Sequence, residues 1–335
     1  MPRSHWNGRT VAVTGGLGFI GSHFVEELHA AGAQVACLYR ERPRETFEHL
    51  GTLDGLRLIA VDLLDAEPTA AAFASIGGQI DMIVHCAALD GGAQFKLQHS
   101  ARVLEENVRM TSGVLNMARQ HRVPDVVLIS SAEVYSGDGT DAAGEDDDCV
   151  THLPRTNSGY AMSKILSEVL ADLYRTRFGM NVFLPRPTNV YGPRDNFTEH
   201  TNRVVPRMLR ALAAGEDIEI WGDGSQTRSF IYVTDLVRSV LGMAEANAFQ
   251  TMNVATAESV SVLALARLLC EMAGEPERIR FDCTKPSGAA RRPLDLTRMQ
   301  SVPGGQPRNL RAGLSETIRW FQSRDRERPA LLGAG

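Results

Sequence analysis

The chain has 335 residues, 43% of them apolar and 22% charged, with a formal net charge of -5 at pH 7. That length buries one large core or two small ones, and without excess positive charge it argues against a duplex-binding surface, so no nucleic-acid partner is expected. No stretch approaches the roughly 18–20 apolar residues of a membrane helix, residues 1–9 hold no signal-peptide core, and the five cysteines form no C-x-x-C pair. The expectation is a cytoplasmic protein with no membrane partner, no disulfide framework and no metal site.

The first half alternates short apolar runs with amphipathic stretches. Strands are expected at Thr10–Thr14, Gln34–Tyr39, Leu56–Val61, Met82–His85, Val126–Ser130 and Asn181–Pro185, and helices at Phe19–Ala31, Ala101–His121 and Ser158–Phe178. Continuous Val/Ile/Leu strands between helices indicate an α/β fold, a doubly wound parallel sheet covered on both faces. After Tyr191 the rhythm breaks. A helix is expected at Pro206–Gly215, short strands at Asp217–Trp221 and Asn253–Ala255, and a further helix at Ser261–Ala273. Residues 1–187, joined by 229–250, should form the sheet domain. Residues 188–228 and 251–325 should form a smaller, interleaved α/β substrate domain, and 326–335 a frayed tail. The acidic stretch Asp138–Asp148 reads either as a solvated loop or as a flap bordering a cleft.

Gly15, Gly18 and Gly21 follow the first strand and open a helix at Phe19 and Ile20. This is the Rossmann arrangement for a dinucleotide. Gly15 permits the tight turn, Gly18 lets backbone approach a pyrophosphate, Gly21 lets helix pack on sheet, and the helix N-terminus offers free N–H groups to phosphate. Tyr39 stands at the end of the second strand, where an acidic residue would hold the ribose of NAD. The adjacent Arg40 either pairs with the 2′-phosphate of NADP or stacks on adenine. Asp62 and Leu63 bracket the adenine, and Ala87 and Ala88 leave room for the cofactor behind a structural His85.

Tyr160 and Lys164 lie at i, i+4 on one helical face. A buried ammonium beside a phenol favours the phenolate, which would make Tyr160 a base. Lysine is rare here, Lys96, Lys164 and Lys285 alone against 32 arginines, and that rarity adds weight to Lys164. Ser130 and Ser131, ending the fifth strand, supply hydroxyls for the same site.

In this order, the glycine motif, Asp62-Leu63, His85-Cys86-Ala87-Ala88, Ser130-Ser131-Ala132 and Tyr160-x-x-x-Lys164 resemble the extended short-chain dehydrogenases/reductases. The closer resemblance is to the nucleotide-sugar epimerases and dehydratases. It implies a NAD cofactor, with NADP left open by Tyr39-Arg40, and a nucleotide-diphosphate sugar as substrate. It also implies a homodimer through a four-helix bundle of Ala101–His121 and Ser158–Phe178. Asn107, Ser130 and Pro187 become cofactor contacts. Asn189, Arg203, Val204, Arg228 and Arg291 become substrate contacts, the arginines suiting a diphosphate through charge-assisted bonds.

The triplet Ser131-Ala132-Glu133 is a hybrid among the branches of that family. Ala132 lacks the acid that would protonate a departing 6-hydroxyl, while Glu133 keeps a carboxylate where dehydratases hold a C5 base. The sequence reading is a 4-epimerase: Tyr160 assisted by Ser131 oxidises C4 through a tightly bound nicotinamide, the keto-sugar turns, and hydride returns to the opposite face. The alternative is a dehydratase or a C5 or C3,5-epimerase using Glu133 as base. A third reading, a catalytically inactive dinucleotide sensor, has no use for the intact Ser131/Tyr160/Lys164 set.

Overall fold

The computed structural model describes residues 5–41, 43–91, 95–96, 98–135, 141–147, 149, 158–198, 201, 203–285 and 293–332. Its strands are β1 (Thr10–Thr14), β2 (Gln34–Tyr39), β3 (Arg57–Ala60), β4 (Met82–His85), β5 (Asp125–Leu128), β6 (Asn181–Pro187), β7 (Asn189–Tyr191), β8 (Ile218–Trp221), β9 (Thr227–Tyr232), β10 (Thr251–Val254), β11 (Ser259–Ser261) and β12 (Ile279–Asp282). The helices that matter here are α1 (Phe19–Ala30), α2 (Arg44–Leu50), α3 (Ala66–Ile76), α4 (Ser100–Gln120), α5 (Gly159–Phe178), α6 (Val204–Ala214), α7 (Val233–Ala246), α8 (Val262–Ala273), α9 (Thr297–Ser301) and α10 (Leu310–Leu332).

Seven parallel strands form the main sheet in the order β10-β6-β5-β4-β1-β2-β3. Side chains alternate across a strand, so β1 feeds two cores. Val11 and Val13 join Phe24, Leu28 and Val240 on one face, and Ala12 joins Ile83, Phe73, Leu115 and Val126 on the other. The fold is the expected Rossmann-type sheet. Strand order reverses between β1 and β4, which opens a crevice at the strand C-termini.

A second lobe is built from β7, β9 and β11, from the β8–β12 pair, and from α6, α8 and α10. Its own core holds Tyr191, Leu209, Ile220, Phe230, Leu265 and Leu314. The lobes are more entwined than the sequence suggests. β10, assigned above to the second portion, is the edge strand of the main sheet, with Asn253 opposite Arg186. α10 carries helical backbone to Leu332, into the segment read as a tail. α6 begins at Val204, two residues before Pro206, because a proline in the first turn lacks only an N–H that would have no intrahelical partner.

The described part of the acidic stretch, 141–147, is no simple solvated loop. Ala143 is fully buried and bridges Leu294. The Asn253 backbone N–H donates to Glu145 Oε1 at 2.9 Å, and its amide donates to the Ala143 carbonyl at 3.0 Å. The segment is thereby fastened to the edge of the main sheet. Among the described residues no helix is long and apolar enough to cross a membrane.

Candidate active site

One wall of the crevice is shaped by glycine. Gly15 has φ +66°, and a Cβ there would lie 2.8 Å from the backbone of Ala87. A Cβ on Gly21 would lie 2.2 Å from the Gly15 carbonyl oxygen. Only glycines let α1 close on the β1 turn this tightly. Gly18 caps α1 with no side chain bonded to the helix N–H groups, so Phe19 and Ile20 begin a free N-terminus. Beyond it a pocket is lined by Gly15, Gly18, Tyr39, Arg40, Asp62, Leu63, Ala87 and Ala88. Asp62 accepts from the Leu64 N–H at 3.0 Å and lies 3.8 Å from the Arg40 guanidinium. These residues fit a nicotinamide adenine dinucleotide: a glycine cradle and helix terminus for the diphosphate, and a carboxylate and a guanidinium for the adenosine. His85 bonds Thr14 Oγ1 at 2.7 Å, and burial lowers its imidazole to about 3, as suits a structural residue.

The opposite wall begins at the first turn of α5. Ser158 caps the helix by accepting from the Ala161 N–H. Gly159 packs against Ser100, whose carbonyl oxygen would lie 1.8 Å from any added Cβ. This close approach of α4 and α5 delivers Tyr160 to the crevice, with Lys164 one turn behind. Lys164 Nζ donates to the Ile129 carbonyl at 2.7 Å and lies 5.5 Å from the Tyr160 ring centroid. Burial lowers its ammonium to about 8. Tyr160 departs from the sequence expectation. Burial pushes its phenol well above the ordinary range, the charges of Asp90 and Glu133 add to that, and Arg203 and a hydrogen bond with Ser131 only partly oppose it.

Ser131 also accepts the Glu133 N–H at 3.1 Å, capping the short 3-10 turn Ala132–Val134 that ends the strand before the expected Ser130. Ser130, read above as a cofactor contact, has its side chain committed elsewhere: its hydroxyl donates to Glu168 at 2.5 Å within the core. Asn107 acts at one remove. It bonds both the N–H and the carbonyl of Leu89, at 2.7 and 3.2 Å, and so shapes the loop that carries Asp90. Pro187 ends β6 beside Val254. Asn189 donates to the Ser229 carbonyl, joining β7 to β9. Arg228 lies on β9 opposite Val260. Val204 opens α6 behind Arg203, and Arg203 is bound by two carboxylates, Asp90 at 2.8 Å and Asp195 at 3.4 Å. Arg291 lies outside the described residues.

The sequence reading missed the groups that surround these. Lys96 Nζ sits 3.5 Å over the Tyr160 ring centroid and 3.3 Å from both Asp90 and Glu133. Lysine scarcity, which singled out Lys164, applies equally to Lys96. Asp195 is buried, and desolvation raises its carboxyl to about 6 against the pull of Arg203. Behind Ser130, Glu168 makes a bidentate pair with Arg186 at 3.0 and 2.6 Å, and Arg186 also donates to the Tyr135 hydroxyl at 2.7 Å. No motif marks that pair. Among the described residues no cluster of ligating side chains could hold a metal.

Residues 11–255 match the NAD dependent epimerase/dehydratase family. The chain is 52% identical over 327 residues, 97% of its length and all of the relative's, to dTDP-4-dehydro-6-deoxy-D-allose reductase of Streptomyces bikiniensis. Among solved structures it resembles UDP-N-acetylglucosamine 4-epimerase from Methanobrevibacter ruminantium M1, with TM-score 0.84 and 25% identity over 95% of this chain and 99% of that one. It also resembles dTDP-glucose 4,6-dehydratase from Streptomyces venezuelae, solved with NAD, with TM-score 0.83 and 25% identity over 94% of this chain and 99% of that one. The chain therefore belongs to the NAD dependent epimerase/dehydratase family and is an enzyme of the extended short-chain dehydrogenase/reductase class that acts on nucleotide-diphosphate sugars with NAD.

Proposed function

We propose that this enzyme reduces the 4-keto group of a dTDP-linked 4-keto-6-deoxyhexose to the alcohol. The observation that carries this reading is the convergence of Ser131, Tyr160 and Lys164 on one wall of the crevice, with Lys164 Nζ bonded to the Ile129 carbonyl and 5.5 Å from the Tyr160 ring centroid, an arrangement able to deliver a proton to a ketone oxygen. The Streptomyces bikiniensis reductase, similar over its whole length, supports both the substrate class and the direction of the reaction.

In this mechanism the sugar lies between the glycine wall and α5, with its C4 oxygen against Tyr160 and Ser131. Bound along the glycine wall, the reduced nicotinamide supplies the hydride. Tyr160 gives its proton to the C4 oxygen, and the Ser131 hydroxyl steadies that oxygen by hydrogen bonding. Lys164, fixed by the Ile129 carbonyl, provides the positive charge that balances the phenolate left behind. Asn189, Val204 and Arg228 face the nucleotide diphosphate in this reading, the role that the family resemblance also gives Arg291.

The 4-epimerase read from the sequence uses the same Ser131/Tyr160/Lys164 set, and the likeness to the Methanobrevibacter 4-epimerase favours it as the second reading. One assay separates them. The purified enzyme is given dTDP-4-keto-6-deoxyhexoses with NADH or NADPH, and dTDP- and UDP-hexoses without added cofactor. Stoichiometric consumption of reduced nicotinamide with a 4-hydroxy product is expected. A C4 epimer formed from a hexose with no net oxidation overturns the reductase reading.

The proposal includes a homodimer through α4 and α5. Leu166, Leu173 and Phe178 are large apolar side chains exposed on α5, the surface a second copy would cover. Sedimentation should show a dimer that L173E/F178E converts to monomer.

A further inference from the structure

Resting on the ketoreductase reading, the geometry points to Lys96 as the positioning residue that restrains Glu133 from acting as a base on the ketosugar. A 4-ketone acidifies the hydrogens on both neighbouring carbons, C3 and C5. A carboxylate within reach can strip such a hydrogen and return it to either face, which would scramble the sugar before reduction. In the ketoreductase reading Glu133 is that carboxylate. Its Oε1 is 3.3 Å from Lys96 Nζ, and the same nitrogen lies 3.5 Å from the centroid of Tyr160, the ring whose hydroxyl meets the C4 oxygen. The carboxylate is thus one ammonium away from the ring that addresses C4.

Lys96 contacts both Glu133 and the Tyr160 ring, and it is held there. Its second partner, Asp90, is 3.3 Å away; Arg203 binds Asp90 at 2.8 Å and Asp195 at 3.4 Å. Asp195 is buried, and its Oδ1 faces Arg203 Nε at 3.4 Å. The charges alternate along the whole array: Asp195, Arg203, Asp90, Lys96, Glu133. An ammonium at 3.3 Å favours the ionised carboxylate and makes it a poor acceptor for a carbon-bound proton. Without Lys96, Asp90 and Glu133 lose the ammonium they share at 3.3 Å, and the negative charge of Asp90 raises the proton affinity of Glu133.

The step that Lys96 suppresses balances without cofactor. Glu133 takes the C–H proton, and the electron pair moves into an enolate on the 4-keto oxygen. The carboxylic acid exchanges its proton with solvent, and a deuteron from D2O returns to the same carbon. The test is deuterium wash-in, followed by NMR and mass spectrometry, with a dTDP-linked 4-keto-6-deoxyhexose in D2O and no nicotinamide added. Wild type and Lys96→Arg should show little wash-in at C3 or C5. Lys96→Met should raise it roughly tenfold or more, one unit of carboxylate basicity, and Lys96→Met/Glu133→Gln should abolish the gain. Lys96→Gln, which keeps a polar contact without the charge, should behave as Lys96→Met and serves if the methionine variant does not fold. Equal wash-in for wild type and the uncharged variants overturns the inference. So does loss of ketosugar binding in both uncharged variants, which would make Lys96 a substrate contact. Failure of the ketoreductase reading shows separately, as absence of nicotinamide-dependent reduction by the wild type.

Discussion

The two walls of the crevice are made by different physics. The cofactor wall is backbone: Gly15 and Gly21 remove side chains so that a turn, a helix terminus and a strand end meet closely. The sugar wall is charge: Asp195, Arg203, Asp90, Lys96 and Glu133 alternate in sign beside Tyr160. Shape serves a ligand that every member of the fold must hold, whereas paired charges set what happens to a sugar once it arrives. A single substitution on the first wall should therefore alter binding, and one on the second should alter chemistry.

The sharpest break in that comparison is Tyr160→Phe. It should lower kcat by about 10²–10⁴, the usual worth of a placed general acid, while cofactor affinity, read by nicotinamide fluorescence, stays unchanged. Equal loss of binding and turnover would erase the distinction between the walls.

Glu168→Gln tests the support behind the sugar wall. It strands Arg186 in the core beside Tyr135, and unfolding by urea should show a loss of about 3–5 kcal/mol, as expected when one partner of a buried pair is removed. A loss below 1 kcal/mol, on the order of an exposed pair, would mean that water reaches the guanidinium.

Acid should weaken the fold through two buried histidines, His23 in α1 and His85 at the end of β4. Burial lowers His23 from 6.5 to about 4 and His85 to about 3, so both are neutral when folded and gain protons on unfolding. Their stability contribution is full above pH 6.5 and falls as pH drops below it, by about 1.4 kcal/mol per pH unit for each histidine, levelling off near the folded values. Asp195 on the sugar wall has the opposite sign. Its folded value near 6 lies above the ordinary 3.8, so protonation between pH 6 and 4 favours the native state. Urea midpoints against pH should fall less steeply in His23→Gln/His85→Gln and more steeply in Asp195→Asn.

The smallest effect is expected at Arg40. It is half-exposed beside Glu41 and Asp62, so Arg40→Ala should weaken NADPH more than NADH by roughly two- to fivefold, within the range of exposed charge pairs. Equal weakening would assign Arg40 to stacking on adenine.

What was legible in the sequence was local. The glycine spacing follows one strand and opens one helix, and Tyr160 and Lys164 share one helical turn, so both could be read without knowing the fold. The partners of the sugar wall are remote. Glu133 and Lys96 are 37 positions apart and Asp90 and Arg203 are 113 apart, and only tertiary folding joins them. For that reason the sequence marks Arg203 as a site residue but not the anions that bind it. In the sequence Lys164 alone bears on the Tyr160 phenol and predicts a lowered pKa, because desolvation and the charges of Asp90 and Glu133 have no local signature. Ser130 and Ser131 are adjacent and chemically identical, and only the partner Glu168 tells them apart. The same limit applies to β10, whose place at the edge of the main sheet depends on β6 rather than on its own residues.

The return of β10 to that edge has a further consequence. The chain leaves the main sheet after β6, comes back with α7, departs again after β10, comes back once more with α9 against β10, and finally leaves for α10. The two lobes are laced like the halves of a shoe, and no single cut releases either as a continuous piece. A fragment ending at 187 lacks α7 and exposes the apolar surface that Val237, Val240 and Met243 cover, so the lobes are expected to melt as one unit, and proteolysis between them should destroy the enzyme rather than divide it.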